Sequence, residues 1–150
     1  MLYLGSDHAG FKIKEELKKY FDQKKIKYQD LGNTEYDPRD DYPDYGLKVA
    51  KKVARSQGKD KGILLCGNAQ GICITANKVK GVRAVTGYSV YAAKSSRQDD
   101  DANILCLAGR ALKPAEVKKI VKAWLETKFS GAVRHKRRLK RLAEIEKKIK

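Results

Sequence analysis

Acidic residues are scarce in this chain: 18 Asp and Glu stand against 34 Lys and Arg over 150 residues, for a formal net charge of +16. Such an excess disfavours basic partners and suits polyanions, from nucleic acid to small phosphorylated metabolites. Cysteine is sparse too. Cys66, Cys73 and Cys106 are odd in number, show no CxxC spacing and lie in apolar segments, which excludes a framework of bridges and points to a reducing compartment. Only two histidines occur, His8 and His135, too far apart in sequence for zinc-ligand spacing, so no metal is expected. No apolar run approaches the ~18 residues of a membrane span, and MLYLGSDHAG has neither a basic leader nor a long apolar core. The expectation is a soluble cytoplasmic protein with no membrane partner, folded as one domain over residues 1–150.

Short apolar runs alternate with segments of helical periodicity. Leu2 to Gly5, Ile26 to Leu31, Gly62 to Cys66, Val82 to Thr86 and Asn103 to Ala108 read as strands. Phe11 to Phe21, Tyr45 to Ala54, Ile72 to Lys78, Val90 to Arg97 and Pro114 to about Thr127 read as helices, with Pro114 at a start where its missing N–H costs nothing. A last helix covers about 132–149. Strands that are apolar throughout, joined by helical crossovers, imply a parallel sheet covered on both faces, that is, a three-layer α/β/α domain. The polar stretch NTEYDPRDDYPDY is a loop.

Ligands of such sheets sit outside the carboxyl ends of the strands, which directs attention to GSDHAG after the first strand and CGNAQG after the third. Asp7 either caps the first helix or serves a ligand, and His8 is either a charged donor at that helix start or a surface residue. Cys66, between a strand end and a helix start, is either a thiol of lowered pKa or a small buried hydrophobe; Cys73 and Cys106 read as the latter. Gly67 and Gly71 let the backbone turn sharply, so that their N–H groups could receive an oxyanion. Other anion loops are excluded: no Arg follows Cys66 by six residues, no GxGxxG follows the first strand, and no GK[ST] closes a glycine loop.

The blocks SDHAGFKIKEEL, DYPDY, ILLCGNAQGICITANKVKGVRA, SRQDDDANILCLAGR and AWLETKFSGAVRHKRRL, in that order, resemble the ribose-5-phosphate isomerase type B and galactose-6-phosphate isomerase family over nearly the whole chain. The resemblance implies a Rossmann-like five-stranded parallel sheet with an extended C-terminal helix. It also implies a homodimer, or a tetramer, with sites shared between subunits. The activity implied is aldose–ketose isomerisation of a small phosphorylated sugar, ribose 5-phosphate first, without cofactor or metal. Cys66 would be the base, Asp7 would handle protons on the sugar oxygens, and His8 and Arg110 would sit near the phosphate. Tyr45 would line the pocket. Arg138, with Arg134 and Arg141, would reach the phosphate from a partner subunit, on which the helix of 132–149 would pack.

Two departures from the family pattern cluster at the chemistry. Asn68 stands where the family has a threonine, and Asp99-Asp100 where it has His-Asn; the threonine and histidine help open the sugar ring. Asn68 and Asp99 are thereby candidate catalytic residues and Asp100 a candidate substrate contact. Asp99 could act as a ring-opening base or belong to a solvated charge run, and Asp101 reads as a chain-turning residue. Two other readings follow: an isomerase for a different sugar, and a non-catalytic scaffold binding nucleic acid. The second is disfavoured because nine Lys or Arg in residues 134–150 share their helix with Leu139, Leu142, Ile145 and Ile149, an apolar stripe suited to packing.

Overall fold

A computed structural model describes residues 1–149. Five strands alternate with helices: β1 (Leu2–Ser6), α1 (His8–Gln23), β2 (Tyr28–Asp30), α2 (Tyr42–Arg55), β3 (Lys61–Cys66), α3 (Gln70–Ala76), β4 (Ala84–Thr86), α4 (Val90–Asp100), β5 (Ile104–Ala108), α5 (Pro114–Glu126) and α6 (Val133–Lys148). The sheet is parallel throughout, in the order β2-β1-β3-β5-β4. Among the described residues, no helix is long and apolar enough to cross a membrane.

The three central strands are apolar along their length because both of their faces are covered. On one face Leu65, Leu105 and Leu107 pack with Leu17 and Phe21 of α1, Ala93 of α4 and Trp124 of α5. On the other, Leu64, Ile104 and Cys106 pack with Val49 and Val53 of α2 and Ile72 and Ala76 of α3. Each large side chain fully buried in these layers contributes about 1.5–3 kcal/mol.

Helix starts differ from the apolar spacing where capping chemistry extends them. The periodicity predicts a first helix from Phe11, but the Asp7 carboxylate accepts from the Gly10 N–H at 3.1 Å and opens α1 at His8. In α2 the spacing starts at Tyr45, and Pro43 fits the first turn so the helix begins at Tyr42. Helix α3 begins at Gln70 after Ala69, which holds φ 67 while fully buried, a left-handed conformation that costs a β-carbon roughly 1–2 kcal/mol. Asp101 turns the chain before β5, as its type predicts, with φ 45. Its carboxylate is gripped by Arg97 at 2.8 Å and Arg83 at 3.1 Å.

Candidate active site

The chain leaves β1 toward β2 on one side and returns through β3 on the other, so a crevice opens at the carboxyl ends of β1 and β3. Cys66 is the last residue of β3, its side chain nearly enclosed at 3% exposure. The turn after β5 is fastened to it: the Gly109 N–H donates to the Cys66 carbonyl at 2.8 Å and the Arg110 N–H to the Gly67 carbonyl at 3.0 Å. A β-carbon on Gly67 would stand 3.1 Å from Arg110 Nη1, so the missing side chain gives room to the guanidinium, which lies exposed over the turn. Asn68 is held by accepting from the Gln70 N–H at 3.1 Å, and its Oδ1 lies 4.0 Å from the Cys66 sulfur.

Gly71 makes room in the same way as Gly67: a β-carbon there would fall 2.5 Å from the Tyr42 ring, so the missing side chain admits an aromatic ring of α2. Not every N–H of the turn is open, since that of Gln70 is taken by Asn68.

The wall opposite Cys66 is built from the first turn of α1. Gly10 lets that turn approach β3, for a β-carbon would be 2.6 Å from Leu65, and the Asp7 N–H reaches the Leu65 carbonyl at 3.4 Å. Burial pushes the Asp7 carboxyl above the usual carboxylate range, although the Gly10 N–H and His8 oppose this. His8 is raised as well, first by its hydrogen bond to Asp40, against partial desolvation. Asp40 takes both the His8 backbone N–H and ring Nδ1 at 2.8 Å on one oxygen, and the Asn33 side-chain amide at 2.9 Å on the other. Tyr45, half-buried at the start of α2, has its phenol raised by burial and then by Asp40.

Asp7, His8, Tyr45, Cys66, Gly67, Asn68 and Arg110 therefore gather at one edge of the sheet. Asp99, Asp100, Arg134, Arg138 and Arg141 do not. Helix α4 runs antiparallel to the strands, so Asp99 and Asp100 end it at the amino edge, where Arg83 donates to the Asp100 carbonyl at 3.0 Å. Asp99 is half-exposed and 3.6 Å from His135 Nε2. The three arginines are exposed on α6, which is anchored at this same edge by Glu146 accepting from the Gly81 N–H at 2.8 Å. Leu139, Leu142, Ile145 and Ile149, the predicted stripe, face Val82 to Val85 at the free edge of β4 across a groove of about 740 Å³. Leu142 and Ile145 remain about half-exposed.

Sequence reading missed Asp40 and Asn33. Both lie in the polar loop, where Asp40 is one of four aspartates and nothing in residue type separates it from the turn formers. Cys106 is fully buried as expected and its thiol is pushed up by burial. Cys73 is not inert in the way its apolar segment suggests: it is half-buried, and hydrogen bonding with Cys106 and then Thr86 lowers its pKa to about 7 against the desolvation.

The profile of the Ribose/Galactose Isomerase family matches residues 2–142. Ribose-5-phosphate isomerase B of Escherichia coli K12 is 39% identical over 144 residues, covering 96% of this chain and 95% of that protein. The crystal structure of ribose-5-phosphate isomerase B from Mycoplasma genitalium with bound ribulose-5-phosphate superposes with a TM-score of 0.95 at 40% identity, covering 99% of this chain and 97% of that one. The Clostridium thermocellum ribose-5-phosphate isomerase B gives a TM-score of 0.92 at 41% identity, with 98% and 97% covered.

Proposed function

The chain belongs to the ribose/galactose isomerase family, and on that ground we propose that it interconverts ribose 5-phosphate and ribulose 5-phosphate through an enediolate. The observation that carries the reading is the enclosed Cys66 at the end of β3, with Asp7 on the facing wall and Arg110 over the adjoining turn. Moving the carbonyl from C1 to C2 requires a base that removes the C2 proton and returns one to C1, while protons shift between the two oxygens. Cys66 takes the carbon proton. Asp7 suits the oxygen protons because burial favours its protonated form, which can donate to the growing oxyanion. Arg110 and protonated His8 supply positive charge for the phosphate.

One chain carries only part of this machinery. In the proposed assembly two copies pair so that Asp99 and Asp100 of one, with Arg134, Arg138 and Arg141, meet the carboxyl edge of the other. The half-exposed stripe of α6, Ile74 on α3 and Tyr88 and Tyr91 beside and on α4 are exposed apolar groups that such pairing would cover. A cytoplasmic location fits the reduced state of the three cysteines.

An assay of ketose formation across five- and six-carbon aldose phosphates and free aldoses tests the reading. Turnover of ribose 5-phosphate above the others is the expected result; preference for a six-carbon phosphate would move the substrate within the family, and no turnover of any would remove the enzyme reading. Asn68 beside the Cys66 sulfur gives a second reading its footing: altered ring opening. A four-carbon aldose phosphate, too short to close a ring, would then be favoured over ribose 5-phosphate.

A further inference from the structure

We propose that Asp40 is the positioning residue of the site: it fixes the His8 ring so that Nδ1 is committed inward and Nε2 is presented to the ligand as a charged donor. The inference rests on the reading of His8 as a contact for the substrate's phosphate.

Its geometry is that of a carboxylate with three donors on its two oxygens. One oxygen takes two donors from the same residue, the backbone N–H and ring Nδ1 of His8, each at 2.8 Å. A side chain gripped at both its root and its ring has little rotational freedom. The other oxygen takes the Asn33 amide at 2.9 Å, and the Asn33 Oδ1 in turn receives the Ser6 hydroxyl at 3.4 Å. Asn33 is itself held from behind by the fully buried Lys14 ammonium, which donates to the Asn33 carbonyl at 2.5 Å and to Asp30 at 2.7 Å. Asp40 is thus tied to the ends of β1 and β2 through Asn33, and its charge helps burial raise the phenol of Tyr45 on α2. A loop that is polar throughout is organised around one carboxylate.

The chemical consequence concerns the tautomer and the charge. With Nδ1–H donating to Asp40, a neutral His8 would carry its lone pair on Nε2, and a protonated one a second N–H there. The groups facing His8 decide between them. From its own element and the cap, Asp7 lies beside it; from the loop, Asp40 bonds it and the Tyr36 ring meets it edge-on with centroids 6.4 Å apart. Both carboxylates favour imidazolium, and only partial desolvation opposes them. Phe11 meets Tyr36 in turn, with centroids 6.2 Å apart, so an aromatic pair adjoins the histidine on the loop side. Nε2 is the one polar atom of the ring left for a ligand.

The test uses Asp40→Asn, which keeps the shape and an oxygen acceptor for both His8 donors but removes the charge. With only two histidines in the chain, the His8 imidazole can be followed by NMR against pH, and a His135 variant assigns it. The proposal expects the His8 pKa to fall in folded Asp40→Asn. It also expects KM for ribose 5-phosphate to rise about tenfold near pH 8 and to converge with the parent value toward pH 5.5, as His8 gains its proton in parent and variant alike, with kcat changing less. Asp40→Glu, which restores the charge at a longer reach, should recover part of the KM. An unchanged His8 titration overturns the proposal alone and leaves the isomerase reading intact. A lowered His8 pKa with KM unmoved at every pH overturns His8 as a phosphate contact, and with it the use assigned to Asp40. A KM rise of the same size at all pH values marks a merely structural loss and also overturns it.

Discussion

The two edges of the sheet solve opposite problems with the same kinds of residue. At the carboxyl edge, polar groups are enclosed and sparsely neutralised: Cys66 and Asp7 are buried, Asp7 with a raised carboxyl, and Arg110 is exposed over Gly67. At the amino edge the charges around the end of α4 are paired. Asp101 is shared by Arg83 and Arg97, the Arg97 guanidinium also reaches the Ala102 carbonyl at 2.6 Å, and Asp99 faces His135. The difference teaches that the buried polar groups of the carboxyl edge are kept there without full neutralisation, as the proposed chemistry requires, whereas the ion pairs of Asp101 at the other edge close helix α4.

The contrast breaks most sharply at the cysteines. Cys66→Ala should lower kcat on ribose 5-phosphate a hundredfold or more, the scale of a lost general base, at a stability cost no larger than that of truncating another buried cysteine. Cys106→Ala, two residues from register with Cys66 on the neighbouring strand, should instead cost about 1–2 kcal/mol in denaturant unfolding and leave kcat within a few-fold. Equal kinetic losses in both variants would dissolve the distinction.

Ending the chain at Ala132 joins the two edges in a single experiment. If α6 serves a second copy, sedimentation should show a shift toward monomer, and KM should rise about tenfold or more as phosphate-binding arginines are lost. A dimer with unchanged KM would confine α6 to packing across the β4 edge.

Asp7→Asn sharpens the account of the carboxyl edge, because asparagine caps a helix about as well as aspartate. The raised carboxyl means that the ionised form destabilises the fold: the favourable contribution is present below the unfolded pKa and lost as pH rises through the folded one. At pH 7 the variant should therefore be more stable than the parent, by about 1 kcal/mol, yet weaker in kcat, a trade-off common at functional sites. His8 shifts in the same sense, so its contribution also fades as pH climbs above its folded value. Below about pH 4 the Asp7→Asn gain in denaturant unfolding should vanish.

Much of the fold is legible in the order of residues alone. The apolar runs mark the central strands β1, β3 and β5, since strands buried on both faces carry little polar alternation, whereas the edge strand β2 is the short polar Tyr28–Asp30 within the run from Ile26 to Leu31; Cys66 and Asp7 stand out by position at strand ends. Residue spacing does not reveal why each glycine is present: Gly67 yields to Arg110 and Gly71 to Tyr42, contacts made by residues distant in sequence. Asp40 is invisible because a loop aspartate reads as a turn former until its partners are in place. The stripe on α6 is visible, but periodicity says that a face is apolar and not what lies across from it.

The smallest expected effect concerns Ala69. Ala69→Gly should release left-handed strain and raise stability by about 1 kcal/mol, provided the freed turn does not gain as much entropy on unfolding. Any stability loss would show that burial of the Ala69 methyl outweighs its backbone cost.

The central claim, that Cys66 moves the proton between C1 and C2, is met most directly by running the reaction with Cys66→Ala and parent protein in deuterium oxide and following label at the two carbons by NMR. The account predicts that the parent places solvent deuterium on C1 of the ketose through the enediolate, while the variant binds sugar phosphate but neither exchanges nor isomerises it beyond about one per cent of the parent rate. Exchange at an undiminished rate in Cys66→Ala would contradict it and give the proton to another residue.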